Sequence, residues 1–97
     1  MIRHVVVFSW TEGMTDEMER QFTAELSALA PTLPGVRAYH AGPDAGIIEG
    51  NFDFAVVADF DDRDSYLAYR DNAEHRDIIS RFSRPHTKAR ASVQYEL

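Results

Sequence analysis

Residues 2 to 10 alternate in a pattern that predicts a β-strand, since the Val-Val-Val-Phe at the centre is strongly strand-forming. Successive side chains of a strand point to opposite faces. One face carries Ile2, His4, Val6 and Phe8, and the other carries Arg3, Val5, Val7 and Ser9. Both faces are apolar at their centre, so each must be covered by another part of the protein or by a partner. An ionisable histidine, His4, stands in line with the apolar residues of one face.

A helix is predicted to begin after Thr15, whose hydroxyl can cap it, and to end before Pro31. Its apolar stripe has the four-four-three spacing of an amphipathic helix and consists of Met18, Phe22, Leu26 and Leu29. The rest of the chain predicts, in order, a strand at 36–41, a Gly-rich loop at 42–51, a strand at 52–60, a helix at about 63–71, a helix from Asn72 to before Pro85, and a strand at 88–97.

This β-α-β-β-α-β order predicts a ferredoxin-like α+β fold, an antiparallel sheet with both helices on one face. The other face of the sheet then carries Val5 and Val7 of the first strand beside Ala55 and Val57 of the third. An exposed apolar patch of this kind usually marks an interface. We therefore expect a homodimer in which two sheets pack face to face.

Composition narrows the function classes. The 97 residues are expected to form a single domain over 1–97. The net charge of −6 argues against a nucleic-acid or anionic membrane partner, which would need clustered Lys and Arg. The absence of cysteine excludes disulfides and thiolate chemistry. No apolar run approaches a membrane span and no signal peptide is expected, so a cytoplasmic protein is the default.

Three segments, IRHVVVFSW, LPGVRAYHAG and YRDNAEH, give the chain a family resemblance. In order and along nearly the whole length it resembles the stress-responsive dimeric α/β-barrel family, called Dabb. The family pattern His-Pro-x-His corresponds here to Asn72-Ala73-Glu74-His75, so only its last histidine is present. The resemblance implies dimers with a barrel-like core. In one plant branch, a polyketide cyclase, it also implies cofactor-free aldol chemistry, with working residues that map onto His4, Tyr69 and His75, whereas a further histidine of that branch corresponds to Phe54 here.

The pattern alone also brings these three side chains together. His4 is on the helix-facing side of the first strand, His75 leads the apolar stripe of the last helix, and Tyr69 ends the helix before it. Burial and the positive end of a helix capped by Asn72 both disfavour a charged imidazole at His75. A neutral His75 can act as a general base, and Tyr69 can donate a hydrogen bond to a developing enolate oxygen. A histidine in an apolar strand is, however, more often a core residue whose hydrogen bonds are satisfied, and this alternative stays open.

We expect a small, mostly apolar pocket between sheet and helices. Around His75 as base, Tyr69 as oxyanion donor and His4 as positioning group, the predicted lining consists of Val6, Phe8, Phe22, Leu26, Phe54 and Ile78. The predicted function is cofactor-independent acid–base chemistry on a small hydrophobic or aromatic carbonyl compound, with polyketide cyclisation as its model. The alternatives are a non-catalytic dimer that binds a small molecule or serves stress tolerance, and a cofactorless monooxygenase. No metal site is predicted, because His4 and His75 lack a third ligand.

Overall fold

A computed structural model describes residues 1–97 and has the predicted order of elements. The strands are β1 (Ile2–Trp10), β2 (Val36–Pro43), β3 (Phe54–Phe60) and β4 (Thr87–Glu96), and the helices are α1 (Asp16–Leu29), α2 (Arg63–Asp71) and α3 (Ala73–Ile78). The four strands form one antiparallel sheet in the order β2-β3-β1-β4. The predicted ferredoxin-like α+β fold is thereby confirmed. None of the helices has the length and apolar character needed to cross a membrane.

The two faces of the sheet differ as the alternation predicts. His4, Val6 and Phe8 of β1 are buried, while Val5 and Val7 between them are only partly buried. The helices pack on the buried side, which we call the covered face. The opposite side, the open face, brings together apolar residues of the three neighbouring strands, paired as Val5 with Val57 and Val93, and Val7 with Ala55 and Ala91.

Helix α1 closes one half of the covered face. Thr15 caps it, its hydroxyl oxygen accepting from the Met18 backbone N–H at 3.1 Å. Phe22 is wholly buried and lies among the rings of Phe8, Phe54 and Phe82, with centroid separations of 5.4 to 6.4 Å. Full burial of aromatic rings is among the largest contributions to a small core. This half of the layer is therefore part of the apolar core.

A tight turn fixes where α2 begins. Gly35 has a φ of 82°, a conformation that side chains other than glycine rarely adopt, and its carbonyl accepts from the Asp61 N–H at 2.8 Å. A Cβ at Gly35 would clash with the Ser65 hydroxyl. The turn thus packs directly on the first turn of α2, which Asp62 caps by accepting from Ser65 N–H at 2.8 Å.

Several boundaries differ from the sequence prediction: β2 continues through Pro43 instead of ending at 41, and β4 spans Thr87–Glu96 instead of 88–97. Strand β3 begins at Phe54 rather than at residue 52, because the Asp53 carboxylate accepts from the Trp10 N–H at 2.7 Å and turns the chain at the end of the sheet. The last helix is not continuous: after Ile78 it widens into a π-helical turn over Ile79–Ser83 and then a 3₁₀ turn over Arg84–His86. Widened turns of this type are frequent at functional sites.

Candidate functional site

A cavity of about 480 Å³ lies between the covered face and the helical segments after residue 62. Side chains of β1, β3, β4, α1, α2, α3, the π-helical turn and the 3₁₀ turn surround it. Seven of the predicted site residues line it together, namely His4, Val6, Phe8, Phe22, Leu26, Tyr69 and His75. The cavity is apolar where it meets α1 and polar where it meets α2, α3 and β4.

Two residues predicted to line the pocket lie elsewhere. Phe54 is buried among the rings of Phe8, Trp10 and Phe22 and does not line the cavity. Ile78 faces α1 near Leu29, and Ile79 takes its place in the lining. On a helix a step of four residues returns closer to the starting direction than a step of three, so Ile79 follows His75 around the helix better than Ile78 does.

His75 is held in one tautomer. Its backbone N–H donates to the Asn72 side-chain oxygen at 3.0 Å, and its ring Nδ1 lies 3.3 Å from the Arg70 carbonyl oxygen. Because a carbonyl can only accept, Nδ1 carries the proton and Nε2 keeps its lone pair. Burial lowers the pKa of His75 below its ordinary value, against a smaller opposing effect of the Arg70 carbonyl. The ring therefore offers a neutral, basic nitrogen.

His4 is held in the opposite tautomer. The Gln94 side-chain nitrogen lies 2.9 Å from its Nδ1, and an amide nitrogen can only donate. Nδ1 is therefore the acceptor, and Nε2 carries the proton. Burial, followed by the positive charge of Arg90 and the neighbouring His75, lowers the pKa of His4 to about 4. His4 is thus a neutral hydrogen-bond donor.

The ring of Tyr69 lies near both imidazoles. Its ring lies 4.2 Å from that of His75 and 6.4 Å from that of His4, between centroids. Its hydroxyl is 2.9 Å from the Tyr39 hydroxyl. Burial raises the pKa of Tyr69 far above its ordinary range and that of Tyr39 to about 12, so both phenols keep their protons. When Tyr39 donates to Tyr69, the proton of Tyr69 is available to another acceptor.

Sequence reasoning missed several residues of the cavity. Tyr66 lies over His4 with centroids 4.9 Å apart, and its i, i+3 spacing from Tyr69 was a signal that both share one helix face. Tyr39 and Gln94 do not line the cavity but hydrogen-bond to Tyr69 and His4, and their positions follow from strand register, which becomes visible once the sheet is paired. The lining also includes four arginines, Arg70, Arg76, Arg84 and Arg90, which the sequence did not distinguish from ordinary surface charges.

The arrangement combines one basic nitrogen with hydrogen-bond donors in a cavity that is apolar where it meets α1. No buried side-chain nitrogen or oxygen lacks a hydrogen-bond partner, so no polar atom is sealed into the core without one. No three His, Asp or Glu side chains come together as metal ligands. Fold and cavity together define a small ferredoxin-like α+β protein with a polar-ended pocket between its sheet and its helices.

The chain belongs to the Dabb family, the stress responsive A/B barrel domain, whose model matches residues 2–97. A dimeric ferredoxin-like protein of unknown function from Thermobifida fusca is similar in structure, with 38% sequence identity and a TM-score of 0.90 over 99% of this chain and 90% of that one. None of the curated proteins matches the chain.

More distant structures share the fold alone. The hydroxynitrile lyase of Passiflora edulis is 17% identical, with a TM-score of 0.82 over 99% of this chain and 92% of that one. SnoaB, a cofactor-independent oxygenase of Streptomyces nogalater, is 10% identical, with a TM-score of 0.79 over 99% and 91%. Chains of this fold thus include enzymes as well as proteins of unknown function.

Proposed function

We propose that the protein is a homodimer whose cavity binds a small hydrophobic or aromatic carbonyl compound and performs cofactor-independent acid–base chemistry on it. His75 is the base, Tyr69 the oxyanion donor and His4 the positioning group. The observation that carries the proposal is the tautomer of His75. The bond from its Nδ1 to the Arg70 carbonyl leaves Nε2 as the basic nitrogen of a ring that lines the cavity and lies 4.2 Å from the Tyr69 ring, between centroids.

An aldol-type ring closure uses these groups with every proton accounted for. His75 Nε2 removes a proton from a carbon beside a carbonyl, which gives an imidazolium and an enolate. The enolate oxygen accepts hydrogen bonds from Tyr69 and from His4 Nε2–H. The enolate carbon attacks a second carbonyl of the same molecule, and the alkoxide that forms takes the proton back from the imidazolium. Nothing is oxidised or reduced.

The open face supports the homodimer. Its apolar centre consists of Val5, Val7, Ala55, Val57 and Ala91, with Val93 at 55% exposure. The similar protein of Thermobifida fusca is described as dimeric. Packing two such faces together buries the patch on both subunits.

A non-catalytic dimer that binds the same kind of compound is the second candidate, because Tyr69 and Gln94 engage hydroxyl and imidazole partners without a ligand. Acetophenone is a suitable probe, since deuterium exchange of its methyl protons in D₂O needs only a base and an oxyanion donor. NMR then measures exchange, and titration measures binding. We expect the protein to accelerate exchange, and His75→Gln to lose about 10²- to 10⁴-fold of that rate.

Tyr69→Phe should also slow exchange while it shifts the melting temperature by only a few degrees, since about 1 kcal/mol of hydrogen bonding is removed. His86→Gln is the matched control, because His86 lies outside the cavity lining. Binding without exchange would favour the non-catalytic dimer. A destabilised His75→Gln protein with unchanged exchange would contradict the role of His75.

A further inference from the structure

The rim of the cavity has a charge opposite to that of the whole chain. The chain carries a net charge of −6, yet the cavity lining contains four arginines and a single carboxylate, Asp71. That carboxylate accepts from Arg70 at 3.1 and 3.4 Å. Asp71 also lies within reach of the charge of Arg76, so one negative charge faces several positive ones.

Arginines elsewhere in the molecule are mostly neutralised. Arg3, Arg20, Arg37 and Arg81 each pair with a carboxylate. Five basic side chains form no ion pair, and three of these, Arg76, Arg84 and Arg90, line the cavity. In an acidic protein, unpaired cations would be expected to lie near surplus carboxylates rather than beside one another.

The three arginines come from separate elements. Arg76 lies on α3, Arg84 in the 3₁₀ turn that follows the π-helical turn, and Arg90 on β4. Arg84 and Arg90 donate to serine hydroxyls, Ser80 and Ser92, each at 3.4 Å. Hydroxyl partners orient a guanidinium without neutralising it. The Arg90 guanidinium carbon is also 6.0 Å from the centroid of the Phe8 ring, which places its charge beside the apolar lining.

We propose that the compound bound in this cavity is an organic acid, with its apolar body against Val6, Phe8 and Phe22 and its carboxylate held by Arg76, Arg84 and Arg90. The guanidinium fork matches a carboxylate in shape and charge, and several forks around one cavity suit a single anionic group. This inference rests on the proposed function, because it concerns the same cavity and names the class of its substrate. Binding of the acid, however, does not require turnover.

Two matched probes test the acid group. We suggest 4-acetylbenzoate and 4-acetylbenzamide, which share the ring and the ketone and differ in charge, titrated by calorimetry. The protein should bind the benzoate about tenfold more tightly than the benzamide, the size of one charged hydrogen bond. The preference should weaken in high KCl, because the arginines are exposed and salt screens them.

Arg90→Gln and Arg84→Gln should each reduce this tenfold preference by about two- to threefold, because three arginines share it, and Arg90→Lys should restore part of the loss. Arg63→Gln is the control, since Arg63 forms no ion pair and lies outside the cavity. Equal affinity for the two probes, or binding of neither, would overturn the inference.

Deuterium exchange separates this inference from the proposed function. Tight, arginine-dependent binding of the benzoate without exchange would retain the anion site and reject catalysis. Exchange of both ketones at equal rates and equal affinities would retain catalysis and reject the anion site. His75→Gln should abolish exchange and leave the charge preference intact.

Discussion

The two faces of β1 differ in burial, although both are apolar at the centre. On the covered face, His4, Val6 and Phe8 are 4 to 5% exposed under helices of the same chain. On the open face, Val5 and Val7 remain partly exposed beside β3 and β4. The covered face contains the polar groups of the cavity, and the open face contains one bidentate ion pair, from Arg3 to Asp59 at 2.7 and 2.9 Å.

This difference shows how one strand can serve two purposes. A face covered by its own chain can hold polar groups, because helices and neighbouring strands supply fixed partners such as the Gln94 amide and the Arg70 carbonyl. A face covered by a second subunit needs little more than matching apolar surface. In the proposed homodimer, the two-residue period of the strand thus places the cavity and the subunit interface on opposite faces.

The largest expected effect comes from placing a charge on the open face, which should disrupt the proposed dimer. Val57→Asp places a carboxylate at the centre of the apolar patch, opposite Val5. Burying an unpaired charge in an interface costs several kcal/mol, so we expect monomer or aggregate in sedimentation velocity. Folding of the subunit should persist, because Val57 does not contribute to the covered core.

Ser27→Asp is the control for that variant, since it adds the same charge on an exposed position of α1. It should leave the oligomeric state unchanged. A stable dimer of the Val57→Asp protein would show that the subunits pair through another surface.

The fold could be predicted because periodicity and helix caps are local properties. The two-residue period placed His4, Val6 and Phe8 on the covered face, and Thr15 and Asn72 cap the predicted helices by accepting from the N–H of Met18 and of His75. These features depend on residues a few positions apart. The resulting order of elements was confirmed.

The cavity could be predicted only in part. Tyr69 and His75 follow from helix spacing, whereas the arginines beyond the π-helical turn do not, because the widened turn changes the direction of the chain without an obvious mark in the sequence. The Tyr39–Tyr69 pair joins residues 30 positions apart. Exposed charges carry no periodic signal, so their convergence became visible only in three dimensions.

A smaller effect concerns the covered face and is the dependence of its stability on pH. The folded protein holds the pKa of His4 at about 4, below the value of 6.5 expected on unfolding. Between these values the unfolded chain binds the proton and the folded chain does not, so stability is full above pH 6.5 and falls as pH drops toward 4. The loss attributable to His4 is at most about 3 kcal/mol.

Urea unfolding at a series of pH values measures this slope. His4→Gln should flatten it, leaving a smaller contribution of the same sign from His75, whose pKa is also lowered by burial. An equally steep slope in the His4→Gln protein would mean that other groups govern acid stability in this range.

The smallest expected effect distinguishes two phenol hydroxyls near the cavity, those of Tyr39 and Tyr66. Tyr39→Phe removes the hydroxyl that bonds to Tyr69 and should lower the free energy of unfolding by about 1 kcal/mol, because the buried Tyr69 hydroxyl loses its partner. Tyr66→Phe is the matched comparison, since the Tyr66 hydroxyl forms no hydrogen bond to another residue and faces a cavity that water can enter. It should change stability less, by only a few tenths of a kcal/mol.

We suggest measuring denaturant unfolding and deuterium exchange of acetophenone on the same samples of both variants. The two measurements together show which phenol assists the reaction. If Tyr39 orients the Tyr69 proton, Tyr39→Phe lowers both stability and exchange, because Tyr69 is then free to rotate or to pair with water. If Tyr66 rather than Tyr69 donates to the enolate oxygen, Tyr66→Phe lowers exchange at nearly unchanged stability. That second outcome would move the oxyanion role three residues along α2 while leaving His75 as the base.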